Sequence, residues 1–268
     1  MKVAIIGNGW VGKAMQELFP DSVTYLRDRD KASKAGELLV DVNYTEDKEV
    51  INKADIAFVC VPTPCPKEGR LDTSAVEEVI SWCNAKLIVI RSTVNPGDTY
   101  RWKMMFKKHI VFQPEYLGET PNHPLLNTVE TPFMIIGGEL PDRRKLIELY
   151  TSVFNANVRI RQTDDYTAEV IKLTENRAIA FRVAECQELY DVCEKAHVDY
   201  YTVREAVYGD DPRMKLWWSM IYPKNRGFNS KCIPKDVYAW NAWAKFNKYE
   251  AVITKTILER NKKWIKAK

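Results

Sequence analysis

"KVAIIGNGWVG", residues 2–12, runs an apolar segment straight into glycines at 7, 9 and 12. An unbroken valine–alanine–isoleucine succession suits a strand buried on both faces. The glycines that follow meet three separate demands. Gly7 permits a tight turn, Gly9 lets backbone approach a pyrophosphate, and Gly12 allows the next helix to pack closely on the strand. The unpaired amides and positive end of that helix form an anion site. Gly7, Asn8, Gly9, Trp10, Val11 and Gly12 are therefore expected to bind a dinucleotide. Asp28, sixteen residues past Gly12, is the acid best placed to take the ribose hydroxyls, with Asp30 behind it. Arg27 and Arg29 flank it and would suit a 2′-phosphate, so NAD is the expected cofactor and NADP the less favoured one.

Working outward, further apolar runs recur at 22–26, 55–61, 86–90, 109–112, 133–138 and 157–160. They are continuous rather than alternating, as in parallel sheets covered on both sides. Amphipathic stretches lie between several of them. One is "DTSAVEEVISWCNA" (72–85), with Asp72 or Thr73 as its cap. The alternation predicts an α/β fold, a doubly wound parallel-sheet Rossmann domain over 1–160. The pattern then changes. Residues 164–196 carry a helical period without Gly or Pro, and the rest of the chain to 268 reads mostly helical. An all-α central domain is expected over 161–268, with one long helix at 164–196.

Composition narrows the class. The chain of 268 residues is 46% hydrophobic and 28% charged, with a net charge of +4, which calls for no nucleic-acid or membrane partner. The basic end "ERNKKWIKAK" (259–268) reads as a solvated helix end. The six cysteines are scattered, with no CxxC pair, and there are three histidines, so no metal site is expected. The start lacks the pattern of a signal peptide, and no apolar run nears eighteen residues. A reducing, cytoplasmic setting with free thiols is the expectation.

Several segments then occur in a fixed order: "VCVPTPCPKEGRLDTSAV" (59–76), "RSTVNPGDT" (91–99), "QPEYLGE" (113–119), "AEVIKLTEN" (168–176), "CEKAHVD" (193–199), "DPRM" (211–214) and "GFNSKCIPKD" (227–236). Together with the glycine-rich start they resemble the UDP-glucose / GDP-mannose dehydrogenase family. Its members oxidise the C6 alcohol of a nucleotide sugar to a carboxylate, using two NAD and an enzyme thioester. A second hydride transfer needs a tetrahedral carbon bearing an oxyanion, and a thiolate adding to the aldehyde supplies one.

On that resemblance Cys232, in the loop 227–236, is the nucleophile, with Lys231 and Lys235 as positive surroundings. Lys172 steadies the oxyanion and Asn176, four residues on and on the same helix face, is its hydrogen-bonding partner. Glu169, one turn back, would orient Lys172. Glu115 and Glu119 handle protons, water and substrate. Thr93 is associated with a catalytic water and, with Thr63 and Lys235, with the cofactor. Asp236 is the base or water-orienting carboxylate. Tyr116, Leu117, Arg213, Gly227 and Phe228 complete a substrate site, with a UDP-sugar favoured. The resemblance also implies a homodimer through the long helix.

Three departures accompany the likeness. Asn229 and Ser230 stand where the family's loop has two glycines, and Gly118 replaces an arginine of its "PEFLRE" segment. Family members usually carry another α/β domain after the central helices, so the chain is expected to be a short form. Trp217, Trp218 and Tyr222 are aromatic candidates for stacking on a base or sugar. Two other functions fit parts of the pattern: a two-electron hydroxyacid-type dehydrogenase, which needs no thiol, and a non-catalytic NAD-binding subunit.

Overall fold

The computed structural model describes residues 1–34, 36, 39, 41–66, 69–118, 132–154 and 157–266. Among them eight strands form one sheet, in the order β3-β2-β1-β4-β5-β6-β7-β8. The strands are β1 (Val3–Ile6), β2 (Val23–Tyr25), β3 (Asn43–Thr45), β4 (Ile56–Val59), β5 (Ile88–Ile90), β6 (Ile110–Phe112), β7 (Phe133–Gly137) and β8 (Arg159–Thr163). The first six are parallel. β7 pairs antiparallel with β6 through Phe112 and Gly137, and β8 runs parallel to β7. This is the doubly wound sheet expected, with reversed strands added at one edge. β3 is the strand that the apolar runs did not reveal; its "NYT" sequence is half-exposed to exposed and polar.

Alternate side chains of each central strand enter opposite cores, which is why the runs look uniformly apolar. Ala4, Ile6, Ala57, Val59, Ile88, Ile90, Ile110 and Phe112 face one layer. Val3, Ile5, Ile56, Phe58, Val89 and Val111 face the other. Each fully buried Ile, Val or Phe contributes about 1.5–3 kcal/mol relative to exposure. The helices between strands that matter here are α1 (Trp10–Leu18), α2 (Arg29–Lys34), α3 (Lys48–Asn52), α4 (Ser74–Trp82), α5 (Asp98–Phe106) and α6 (Leu140–Thr151). At the start of α4 it is Asp72 whose carboxylate accepts the Ser74 amide, at 3.0 Å.

The long helix α7 spans Asp165–Ala196. Asp164 closes its start, accepting from the Thr167 amide at 2.8 Å and the Thr167 hydroxyl at 2.7 Å. After it come α8 (Tyr200–Arg204), a π-helical turn (Glu205–Asp210), a 3₁₀ turn (Leu216–Ser219), α9 (Ile233–Phe246) and α10 (Val252–Lys266). By compactness the chain forms two units. One comprises Met1–Pro64 and Leu71–Lys172, the other Cys65–Arg70 and Leu173–Lys268. This division by compactness falls inside α7, between Lys172 and Leu173. The reason is local: Ala168 is buried in the sheet core and Ile171 packs against it, so the first turns of α7 belong with the sheet. Among the described residues no helix is long and apolar enough to cross a membrane.

Candidate active site

Within the first unit, the turn after β1 is built for close approach. Gly7 has φ +109°, and a Cβ there would lie 2.4 Å from the Cys60 carbonyl oxygen. A Cβ on Gly12 would lie 2.1 Å from the Gly7 carbonyl oxygen. At Gly9 the same Cβ meets nothing within 4 Å, so the chain itself does not demand glycine there. Gly9 is the N-cap residue of α1, and no side chain caps the first amides of that helix. A packed turn, an open Gly9 and uncapped amides are what a pyrophosphate needs, so these residues fit a dinucleotide.

The surroundings of that turn are held by polar contacts. Gln16, almost fully buried, donates to Asn8 at 2.9 Å and to Thr24 at 3.1 Å. Tyr44 on β3 donates to Asn8 at 3.3 Å. Trp10 is exposed and Val11 half-buried. Asp28 follows β2 and is exposed, just before α2. Of the two arginines beside it, Arg27 pairs with Glu78 of α4. The side chains of Arg29 and Asp30 lie outside the described residues. Thr63, in the segment after β4, is buried, and Thr93, after β5, is half-buried.

The loop after β6 is fixed by a buried ion pair that the sequence reading missed. Arg91 binds the Glu115 carboxylate with one amino group and donates to the Gln113 carbonyl at 3.2 Å. The other Glu115 oxygen accepts from the Tyr116 and Leu117 amides, at 2.7 and 2.9 Å. Glu115 is therefore a clamp on the segment that carries Tyr116 and Leu117, with both oxygens engaged as acceptors. An arginine ending the apolar run "KLIVIR" was the available signal, since a buried cation requires a partner. Glu119 lies outside the described residues.

Lys172 is buried, and its ammonium sits over the Tyr116 ring, 4.6 Å from the centroid. Tyr116 in turn packs on Phe133, with ring centroids 4.9 Å apart. Glu169 is 0% exposed, and its oxygens accept from the Gly97 amide at 2.5 Å and the Thr99 amide at 2.9 Å. Burial pushes its carboxyl up to about 8, outweighing those hydrogen bonds. The carboxylate expected to orient Lys172 is thus directed at the start of α5.

In the second unit, Cys232 is the N-cap residue of α9 and is half-exposed, with Pro234 in the first turn. Asp236, one turn on, is 0% exposed. One of its oxygens accepts from the Asn176 side-chain amide at 2.5 Å, and the other meets the Lys235 ammonium at 2.6 Å. The expected residues 176, 235 and 236 are thus joined in one chain of contacts around the buried Asp236, at the helix that Cys232 begins. Lys235, assigned to the cofactor from sequence, is the ion-pair partner of Asp236.

The loop leading to Cys232 is held from α10. Asn261 accepts from the Phe228 amide at 2.8 Å and donates to the Phe228 carbonyl at 2.9 Å. Gly227, at φ +75°, has no room for a side chain, since a Cβ would lie 2.5 Å from the Asn261 oxygen. Ser230 precedes the N-cap Cys232 by two residues, and its hydroxyl accepts the amide of Ile233, the first residue of α9, at 3.2 Å. That local hydroxyl-to-backbone bond gives a physical reason for serine where a glycine was expected. Arg213 is not gathered with these groups: its side chain is 83% exposed and makes a forked pair with Asp211, at 2.6 and 2.9 Å. Trp217 and Tyr222 are exposed, while Arg182 stacks on Trp218, 4.6 Å from the ring centroid.

Four of the other thiols are poor nucleophiles. Burial pushes Cys60 up to about 12 and Cys186 up to about 11, and it raises Cys83 and Cys65 as well. Among the described residues no cluster of His, Cys, Asp or Glu forms a metal-binding group.

Fold and site together define a dinucleotide-binding α/β unit followed by a helical unit bearing a cysteine at a helix N-terminus. Residues 29–155 match the sequence model of the UDP-glucose/GDP-mannose dehydrogenase family, NAD binding domain, and residues 166–263 match that family's central domain. The chain belongs to the UDP-glucose/GDP-mannose dehydrogenase family. It is 26% identical to a UDP-glucose 6-dehydrogenase of Rickettsia bellii, covering 98% of this chain and 67% of that protein. It is 27% identical to one of Campylobacter jejuni, covering 97% and 72%. Among solved structures, a UDP-glucose dehydrogenase from Pyrobaculum islandicum shares the fold with a TM-score of 0.82 at 22% identity, over 97% of this chain and 68% of that one. A UDP-D-ManNAc dehydrogenase from Pyrococcus horikoshii does so with a TM-score of 0.83 at 21% identity, over 98% and 69%. The chain spans about two-thirds of the length of these relatives.

Proposed function

We propose that the chain serves the NAD-dependent, four-electron oxidation of a nucleotide-sugar C6 alcohol to the uronate, through a thiohemiacetal and a thioester on Cys232. A UDP-sugar is favoured, as in the names of the relatives. The observation that carries the reading is the set of contacts at the start of α9. Cys232 stands at the helix N-terminus, and Asp236, one turn on, is bonded to Asn176 and Lys235. Helix N-termini favour negative charge, which suits a thiolate.

Gly7, Asn8, Gly9, Trp10, Val11, Gly12, Asp28, Thr63 and Thr93 would hold the dinucleotide. Bound NAD supplies the chemistry of accepting a hydride, once for the alcohol and once for the thiohemiacetal. Lys172 takes the developing charge on the C6 oxygen, and Asn176 bonds the same oxygen. The Cys232 sulfur adds to the aldehyde carbon, forming the C–S bond that makes a second oxidation possible. Asp236 and Thr93 direct the water that cleaves the thioester, which returns the thiol. Tyr116, Leu117, Gly227, Phe228 and Arg213 are assigned to the substrate, and Glu115 acts on it by holding Tyr116 and Leu117. In balance, one alcohol, two NAD⁺ and one water give one carboxylate, two NADH and three protons. Glu119 is assigned a proton-handling role as well, and a twofold dimer through α7 completes the proposal.

Incubation with NAD⁺ and UDP-glucose or GDP-mannose tests it. Two NADH per sugar consumed, and an aldehyde or bound adduct accumulating in Cys232→Ser, is the expected result. One NADH per substrate, unaffected by that substitution, would select a two-electron dehydrogenase. Tight NAD binding with no reduction by any nucleotide sugar would select a non-catalytic subunit.

A further inference from the structure

The start of α5 has an unusual cap. Its N-cap residue is Gly97, at φ +97°, which has no side chain to offer the first amides. The cap comes from α7 instead, as both oxygens of Glu169 reach the Gly97 and Thr99 amides. The same short stretch is held by a second set of bonds. Asn95 accepts from the Leu71 amide at 2.8 Å and donates to the Leu71 carbonyl at 3.0 Å. Asp98 accepts from the Asn95 side chain at 2.9 Å and from the Thr73 hydroxyl at 3.1 Å. The loop carrying Thr93 is therefore pinned between the approach to α4 and the first turns of α7.

Glu169 and Lys172 are three positions apart on the helix, so one face of α7 presents both. Glu169 fixes that face to α5, and Lys172 lies over the Tyr116 ring. We infer that Glu169 is a positioning residue: by capping α5 from another helix it locks the Thr93 loop to the turn of α7 that carries Lys172. The inference rests on the proposed function for the roles of Thr93 and Lys172. The geometric part, that Glu169 holds Lys172 in its buried place, stands apart from it.

The test compares wild type, Glu169→Ala, Glu169→Gln and Asp47→Ala, the last removing the carboxylate that caps α3 by accepting the Glu49 amide at 2.9 Å. Lys172 is acylated with an N-hydroxysuccinimide ester and its modification followed by peptide mass spectrometry. In Glu169→Ala we expect Lys172 to react about fivefold faster, as local opening exposes it. Asp47→Ala should match wild type. Glu169→Gln keeps one acceptor oxygen, folds if Glu169→Ala does not, and should give an intermediate rate. In turnover with NAD⁺ and a nucleotide sugar, kcat should fall about tenfold or more in both Glu169 variants, with NAD affinity retained. Equal Lys172 rates in wild type and both Glu169 variants, or the same rise in Asp47→Ala, would overturn the inference. Absence of turnover in wild type removes the functional reading, and the acylation comparison then decides the inference by itself.

Discussion

Asp236 and Asn176, sixty residues apart in sequence, meet at 2.5 Å, with the aspartate wholly shielded from solvent. A carboxylate so placed depends on its partners, because an unpaired buried charge is costly. Asn176→Ala removes one of the two donors, and Asp236→Asn replaces one acceptor oxygen with a donor and removes the negative charge facing the Lys235 ammonium. Each should destabilise the fold by about 2–4 kcal/mol, read as a lowered urea midpoint. An unchanged midpoint in both would show that the pair contributes nothing to stability.

Glu169 gives the protein a pH dependence of defined sign. Burial raises its folded pKa from the usual 4.5 to about 8, so the native state binds the proton more tightly than the unfolded chain. The associated stability is complete below pH 4.5 and is lost as pH rises through 8. Asp165 one turn back adds to the rise, and is itself paired with Lys103 of α5 at 3.2 Å. On α5, Asp98 faces Arg101 at 3.6 Å. Thermal midpoints between pH 5 and 8.5 should therefore fall more steeply for wild type than for Glu169→Gln. Parallel curves would refute the assignment.

The glycine turn separates folding from binding. Gly12→Ala forces a methyl against the Gly7 carbonyl and should cost about 1–3 kcal/mol or more, seen in the thermal midpoint. Gly9→Ala meets no neighbour of its own chain and should leave that midpoint nearly unchanged. It should nonetheless weaken dinucleotide binding about tenfold or more, measured by titration calorimetry, because the backbone can no longer approach the pyrophosphate. Equal dinucleotide affinity in Gly9→Ala and wild type would remove that turn from the binding site.

Ser230→Ala and Ser230→Gly each remove the hydroxyl that accepts the Ile233 amide and should each lower stability by about 0.5–1 kcal/mol. Chemical denaturation measures both losses, and wild-type stability in both variants would mean that the hydroxyl contributes nothing to the start of α9.

The sequence carried the sheet core and the helices well because both rest on short-range pattern. Continuous apolar runs marked strands buried on two faces, and a gap without Gly or Pro marked α7. β3 escaped because three residues, half-exposed to exposed and polar, leave no such pattern. The candidate site was legible as residue types, not as partnerships. Cys232, Lys172, Asn176 and Asp236 were recognisable from local motifs and family likeness. That Asn176 and Lys235 both attend Asp236 depends on elements brought together only by folding. The same holds for Glu115 as the partner of Arg91, and for Glu169 reaching α5. Ser230 looked like a loss of glycine until the amide it serves was known.

The burial of Cys60, Cys83, Cys186 and Cys193 has a practical consequence. With sterically guarded sulfurs at those positions, alkylation is confined largely to the half-exposed Cys65 and Cys232. Burial hinders Cys65 as well. A limiting dose of iodoacetamide at neutral pH therefore becomes a nearly site-specific handle on the start of α9, usable for isotope tags, spin probes or inactivation kinetics without first stripping the chain of its other sulfhydryls.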